Sequence, residues 1–199
     1  MKHFIKIALI GGPACGKSSC LQELKSIPQA NSSVLFIEES ATSIIEKLPR
    51  LRENPFVFQS TVLAAQLTIE AALEKAIETT PSSAVVITDR GAYDAFVYAD
   101  KICNFTGWFP SSEYDLVLFL HQPSMFHGRN NNPHRIESAS EASELALKTY
   151  SVWKQFISPN NFIEIPAKDS VSEKARLIAA TINAHFGETI FDLQRREEG

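Results

Sequence analysis

The chain has 199 residues, 44% of them apolar and 21% charged, with a net charge of −4. That length supports one domain around one substantial core, and the acidic balance excludes a basic nucleic-acid or anionic-lipid surface. No apolar run approaches the roughly 20 residues that a bilayer-spanning helix needs, so no membrane partner is expected. Cys15, Cys20 and Cys103 form no Cys-x-x-Cys pair, and no leader-like segment precedes the first strand-like run. The expected compartment is therefore a reducing cytoplasm.

The first element is a strand over 5–10, whose almost continuous aliphatic run suits a strand covered on both faces. It leads into Gly11-Gly12-Pro13-Ala14-Cys15-Gly16-Lys17-Ser18-Ser19, and a helix is expected over 17–26. Gly-x-x-x-x-Gly-Lys-Ser between a buried strand and a helix is the phosphate-binding loop. Glycines let backbone N–H groups approach anionic oxygens, and the helix that follows aims its positive end at them. Lys17 is then placed for the β- and γ-phosphates and the Ser18 hydroxyl for Mg²⁺. A glycine-rich turn without a ligand is the alternative, and the full motif in this context weighs against it. Cys15 is either an oxidisable switch or a small filler, with filler favoured.

A second strand over 34–37 ends in Glu38-Glu39. At that edge one carboxylate can take a proton from an attacking hydroxyl; alternatively the pair is solvated and caps the helix that follows. A helix over 56–79 carries Phe56, Phe58 and Gln59, which with Trp108 are candidates for holding a flat acceptor ring, or else fill core. The strand over 84–88 runs into Asp89-Arg90-Gly91. An acid there is the expected Mg²⁺ partner of the loop, with a helix N-cap as the other reading. Arg90 can grip an anion bidentately or form a surface ion pair.

A strand over 115–120 follows an aromatic connection at 104–112. The polar stretch "HGRNNNPHRIESAS" at 127–140 reads as a lid or as a plain surface loop. A helix over 141–156, a strand over 162–165 and a helix over 172–186 complete the chain. The last rests on Val171, Ala175, Ile178 and Ile182 at helical spacing, with Gly187 as its stop. His121, His127 and His134 lack a metal-binding spacing, which leaves Ser18 and Asp89 as the metal candidates. Five strands alternating with helices predict an α/β, three-layer fold with a five-stranded parallel sheet. With the phosphate loop, Asp89-Arg90-Gly91 and Glu38-Glu39 placed on it, the chain resembles the nucleoside and nucleotide kinases of the P-loop NTPase fold. The ligand belongs at the carboxyl edge.

On "GGPACGKSSCLQEL", "FIEESATSIIEKL", "TDRGAYDAFVYAD", "YDLVLFLHQP", "PHRIESASEASEL" and "NFIEIPAKDSVSEKARLIAATI" the chain resembles the AAA domain 28 family. That family is similar to the ribosylnicotinamide kinase domain of bacterial nicotinamide-nucleotide adenylyltransferase regulators, and more distantly to thymidylate and deoxynucleoside kinases. The resemblance implies a Walker A loop at 11–18, the Asp-Arg-Gly motif at 89–91 and a lid arginine at Arg135. It also implies an acid after the second strand, best matched by Glu39, and a further acid at Asp94. Thr42 stands where the family often shows an arginine, and the lid carries only Arg129 and Arg135.

The expected function is a Mg²⁺-ATP-dependent phosphotransferase, one domain over 1–199, acting on a nucleoside-like or nucleotide-like hydroxyl acceptor. Lys17 and the loop hold ATP, Ser18 and Asp89 hold Mg²⁺, and Glu39 takes the acceptor proton. Arg90 orients the acceptor and Arg135 closes over the transferring group. The alternative is a regulatory P-loop ATPase that switches a partner without a small acceptor.

Overall fold

A computed structural model describes residues 4–30, 33–79, 83–98, 113–123 and 138–194. Its strands are β1 (Phe4–Ile10), β2 (Ser33–Ile37), β3 (Ala84–Asp89), β4 (Leu116–Leu120) and β5 (Phe162–Ile165). Its helices are α1 (Lys17–Ser26), α2 (Ser40–Lys47), α3 (Pro55–Glu78), α4 (Asp94–Val97), α5 (Ala139–Phe156) and α6 (Val171–Phe186). All strand pairs are parallel, in the order β2-β3-β1-β4-β5. The phosphate loop therefore leaves the central strand, at the carboxyl edge where open α/β sheets bind ligands.

Strand residues alternate between two packed faces. Ile5, Ile7 and Leu9 join Leu21 and Leu24 of α1 and Ile178 and Ile182 of α6. Ala8 and Ile10 point the other way, into a cluster with Phe119, Phe162 and Trp153 of α5, and Val86 packs with Ile77 of α3. The result is the expected three layers. One residue breaks the aliphatic reading of β1: Lys6 is buried and its ammonium reaches Glu70 Oε2 of α3 at 3.2 Å. Glu70 also accepts from Gln66 Nε2 at 2.7 Å and from the Tyr114 hydroxyl at 2.9 Å. Removing Glu70 would take away the acceptor that Lys6, Gln66 and Tyr114 share.

Helix ends follow their capping residues. Asn54 caps α3 by accepting from Val57 N, Ser138 and Glu141 form a reciprocal capping box at α5, and Gly187 closes α6 at φ +66°. The capping box moves the start of α5 upstream of the expected 141, so residues 138–140 of the expected lid are a helix start. The remaining lid, 127–137, with Arg129 and Arg135, lies outside the described residues, as do Trp108 and Cys103. The expectation of no membrane-length apolar run also needs correction. By length and composition alone, α3 is long and apolar enough to cross a bilayer. In this fold it instead lies over β2 and β3 and buries Gln66 and Glu70.

Candidate active site

The loop between β1 and α1 takes its shape from backbone demands that few residues meet. Gly11 has φ +144°, and a Cβ there would meet Leu120 O at 2.6 Å and Cys15 Sγ at 2.8 Å. A Cβ on Gly12 would meet Ala146 Cβ of α5 at 2.6 Å, so the loop lies directly against that helix. Ala14 adopts φ +63°, a conformation costing an L-residue about 1–2 kcal/mol and characteristic of functional loops. At the start of α1, Gly16 supplies no side-chain cap, and the first turn holds no acid. Amides that a helix usually satisfies with a side chain thus face outward, the arrangement that accepts a phosphate.

The Lys17 ammonium lies within 3.0 Å of Gly11 O and 3.1 Å of Gly12 O. Ser18 Oγ donates to Asp89 Oδ2 at 2.5 Å, which brings together the two residues expected at the metal. Asp89 is 1% exposed and terminates β3, not a helix N-terminus, which rules out the N-cap reading. Its Oδ1 is buried and has no partner among the described residues. Burial pushes its carboxyl above the ordinary aspartate range against the pull of Lys17, with Glu39 adding to the rise. A buried oxygen without a donor, beside a hydroxyl, is a donor set that fits a hard divalent cation, whose charge would reverse that shift.

Arg90 begins the turn after β3 with φ +73°, held by its N–H to Leu9 O at 3.0 Å and by the Thr88 hydroxyl on its carbonyl. This strained backbone throws the guanidinium across the cavity. Its Nε reaches Glu39 Oε1 at 2.5 Å, and Nη1 reaches Asp94 Oδ1 at 3.3 Å and the Tyr98 hydroxyl at 3.2 Å. The Arg90 side chain is 18% exposed, so the surface-pair reading does not describe it. Nor does the guanidinium stand open for an anion: it is clamped between two carboxylates.

The ambiguity at Glu38-Glu39 resolves geometrically. Glu38 faces solvent and pairs with Lys25 Nζ at 2.7 Å and Gln22 Nε2 at 2.9 Å. Glu39 turns into the cavity; although it is the residue before α2, its side chain makes no capping bond. It instead accepts from Arg90 and from the Thr42 hydroxyl at 3.0 Å. Burial opposes its charge, but the Arg90 guanidinium, Lys17 and these two bonds together hold its carboxyl at about 2. Thr42 thus takes a supporting role where the resembling family often shows an arginine. Asp94, buried at the start of α4, accepts from Gly91 N at 3.0 Å and so fixes the Arg90 turn.

These groups line one cavity of about 300 Å³. Pro13, Lys17, Ser18 and Asp89 form one end, Glu39, Arg90 and Asp94 the middle, and Ile45, Phe58, Gln59 and Val62 the far wall. Of the aromatic candidates, Phe58 reaches the cavity with Gln59, whereas Phe56 is exposed and lies outside it. Several lining residues escaped the sequence reading. Gln66 and Tyr98 are two; Gln66, a lone amide in an apolar helical run and four residues from Glu70, gave a usable signal. Ser40 Oγ donates to Gln66 Oε1 at 2.9 Å, closing the wall between α2 and α3. Cys15 is 1% exposed and packs behind Gly11, which favours the filler reading.

A phosphate loop on the central strand, faced by an acid from the neighbouring strand, is the arrangement of P-loop ATP-dependent kinases and ATPases, and the fold and site of this chain are of that class. Residues 6–174 match the AAA domain family (AAA_28), and the chain belongs to that family. Among curated proteins none matches the sequence. A solved structure of a NadR protein in complex with NR is similar, with a TM-score of 0.69 at 14% identity. The similarity covers 97% of this chain and 54% of that one, so this chain spans just over half the NadR length. Identity that low carries the fold alone.

Proposed function

We propose that this protein transfers the terminal phosphoryl group of Mg²⁺-ATP to a hydroxyl of a small nucleoside-like or nucleotide-like acceptor. One observation carries the reading: the cavity does not stop at the phosphate end. Beside Glu39, Arg90 and Asp94 it is lined by Ile45, Phe58, Gln59 and Val62, and its volume of about 300 Å³ is that of a pocket for one small molecule. An apolar wall next to a buried carboxylate and guanidinium suits the ring and hydroxyl of such an acceptor.

In this reading Lys17 and the backbone N–H groups of the loop from Gly11 to Ser19, Pro13 excepted, bind the triphosphate, and Ser18 and Asp89 would hold Mg²⁺. The bound ion would offset charge on the phosphate oxygens. The acceptor oxygen attacks the γ-phosphorus, the bond to the β-phosphate oxygen breaks, ADP leaves, and the acceptor proton passes to Glu39. A carboxylate held at about 2 stays ionised at any physiological pH and is a weak base, which suits a loose transition state in which the proton moves late. Arg90 orients Glu39 and the acceptor, and Asp94 positions Arg90. Arg135, with Arg129, closes over the transferring group and limits hydrolysis.

The test is ADP release from Mg²⁺-ATP, alone and against a panel of nucleosides and nucleotides that includes nicotinamide riboside, with Lys17→Ala as the control. One acceptor that accelerates turnover and gains a phosphate establishes the kinase. Basal turnover that no acceptor changes overturns it in favour of a regulatory ATPase.

A further inference from the structure

Behind the phosphate loop, on the side away from the cavity, lies a charge that the proposed chemistry does not use. Lys174, in the first turn of α6, is 2% exposed, and its ammonium donates to Cys15 O at 2.9 Å and to His121 O at 2.6 Å. It therefore ties the loop to the exit of β4. Among the described residues no carboxylate forms an ion pair with it. Burial pushes its ammonium below the ordinary lysine range, opposed by the Cys15 and Cys20 thiols, with Lys17 adding to the fall. Burying an ammonium without a counter-charge is costly, and neutral carbonyls relieve only part of that.

The geometry says what the charge is for. A trans peptide is planar with its C=O and N–H pointing in opposite directions. Anchoring the Cys15 carbonyl on the α6 side therefore aims the Gly16 N–H away from α6, toward the cradle. Gln122 Nε2 acts the same way on Pro13 O at 2.7 Å, aiming the Ala14 N–H. Gly11 O and Gly12 O are held differently, by Lys17 itself, and a phosphate competes for that same ammonium. Lys174 and Gln122 have no such competitor.

We propose that Lys174 is a positioning residue of the phosphate site: it fixes the Cys15–Gly16 peptide and supplies from behind the loop a buried positive charge that the bound polyphosphate neutralises. The proposal rests on the P-loop binding ATP, and the experiment separates the two. Mg²⁺-ATP and Mg²⁺-ADP affinities are measured by calorimetry for the native protein, Lys17→Ala, Lys174→Met and Lys174→Arg, with thermal melting of each. The expected result is at least a tenfold weaker ATP affinity in Lys174→Met, a smaller loss for ADP, and substantial recovery in Lys174→Arg. A folded Lys174→Met that binds ATP within twofold of the native protein overturns the proposal, as does an equal loss for both nucleotides. If Lys174→Met does not fold, Lys174→Gln decides on the same criteria. If both are unfolded, the lysine is purely structural and the proposal falls. A native protein that binds no ATP would instead overturn the nucleotide site itself.

Discussion

Replacing Glu39 by glutamine keeps the shape of the cavity and removes one of two carboxylates that clamp Arg90. A carboxyl held at about 2 in place of the ordinary 4.5 corresponds to about 3 kcal/mol of stability at neutral pH. Both partners are about four-fifths buried, with side chains 18% and 21% exposed, so solvent screening takes little of this away. For a protein of this size, a loss of about 3 kcal/mol lowers the melting temperature by roughly 6–12 °C. The pH dependence has a definite sign. Because folding depresses this pKa, its contribution is complete above about 4.5 and fades as pH falls toward about 2. Urea unfolding of native and Glu39→Gln protein at pH 7, 4.5 and 3.5 should show a gap nearly unchanged at the first step and clearly smaller at the second. The same variant should lose on the order of 10²–10⁴ in acceptor-dependent turnover if Glu39 takes the proton. A Glu39→Gln protein as stable as native at pH 7, or a gap unchanged at pH 3.5, would refute the ion-pair account even if turnover fell.

Asp89→Asn keeps the Ser18 contact within reach but removes the negative charge and leaves a single neutral oxygen to offer a cation. ATP binding should then lose most of its dependence on Mg²⁺, read by titrating Mg²⁺ at fixed ATP, while melting changes little. Gly12→Ala drives a methyl group into Ala146 Cβ at 2.6 Å and Ala142 O at 2.9 Å, neither of which can swing aside. The expected cost is about 1–3 kcal/mol of stability, together with weaker ATP binding as the loop is pushed off α5. Native stability and affinity in that variant would show that α5 yields.

The strands and four long helices were legible because each rests on local pattern: aliphatic runs for β1 to β5, helical spacing for α6, and the glycine–lysine motif for the loop. What stayed hidden depends on contacts distant in sequence. α2 is rich in Thr42, Ile44 and Ile45, which disfavour an isolated helix, and it forms because Ser40 and Ile45 close a wall against α3. α4 is a single turn held by Asp94 on Gly91 N, too short for periodicity to register. At Glu38-Glu39 the letters are identical, and only the alternation of side chains leaving β2 sends one to Lys25 and the other to Arg90. Lys6 sits inside an aliphatic run with nothing local to pair it, and its partner Glu70 lies far along the chain. Lys174 and Gln122 lie in stretches that carry the family resemblance, but nothing local shows their roles, since their partners are backbone carbonyls that any sequence provides.

The two ends of the cavity are built from different material. The phosphate end is carried by the sheet itself, on β1 and β3, where a change of residue disturbs the centre of the molecule. The apolar wall is carried by Ile45 of α2 and by Phe58, Gln59 and Val62 of α3, outside the sheet. Under the proposed phosphotransfer, substitutions on that wall would change which acceptor fits while the phosphate end keeps its hold on the nucleotide. The choice of acceptor could then drift within one lineage while the transfer machinery stayed constant.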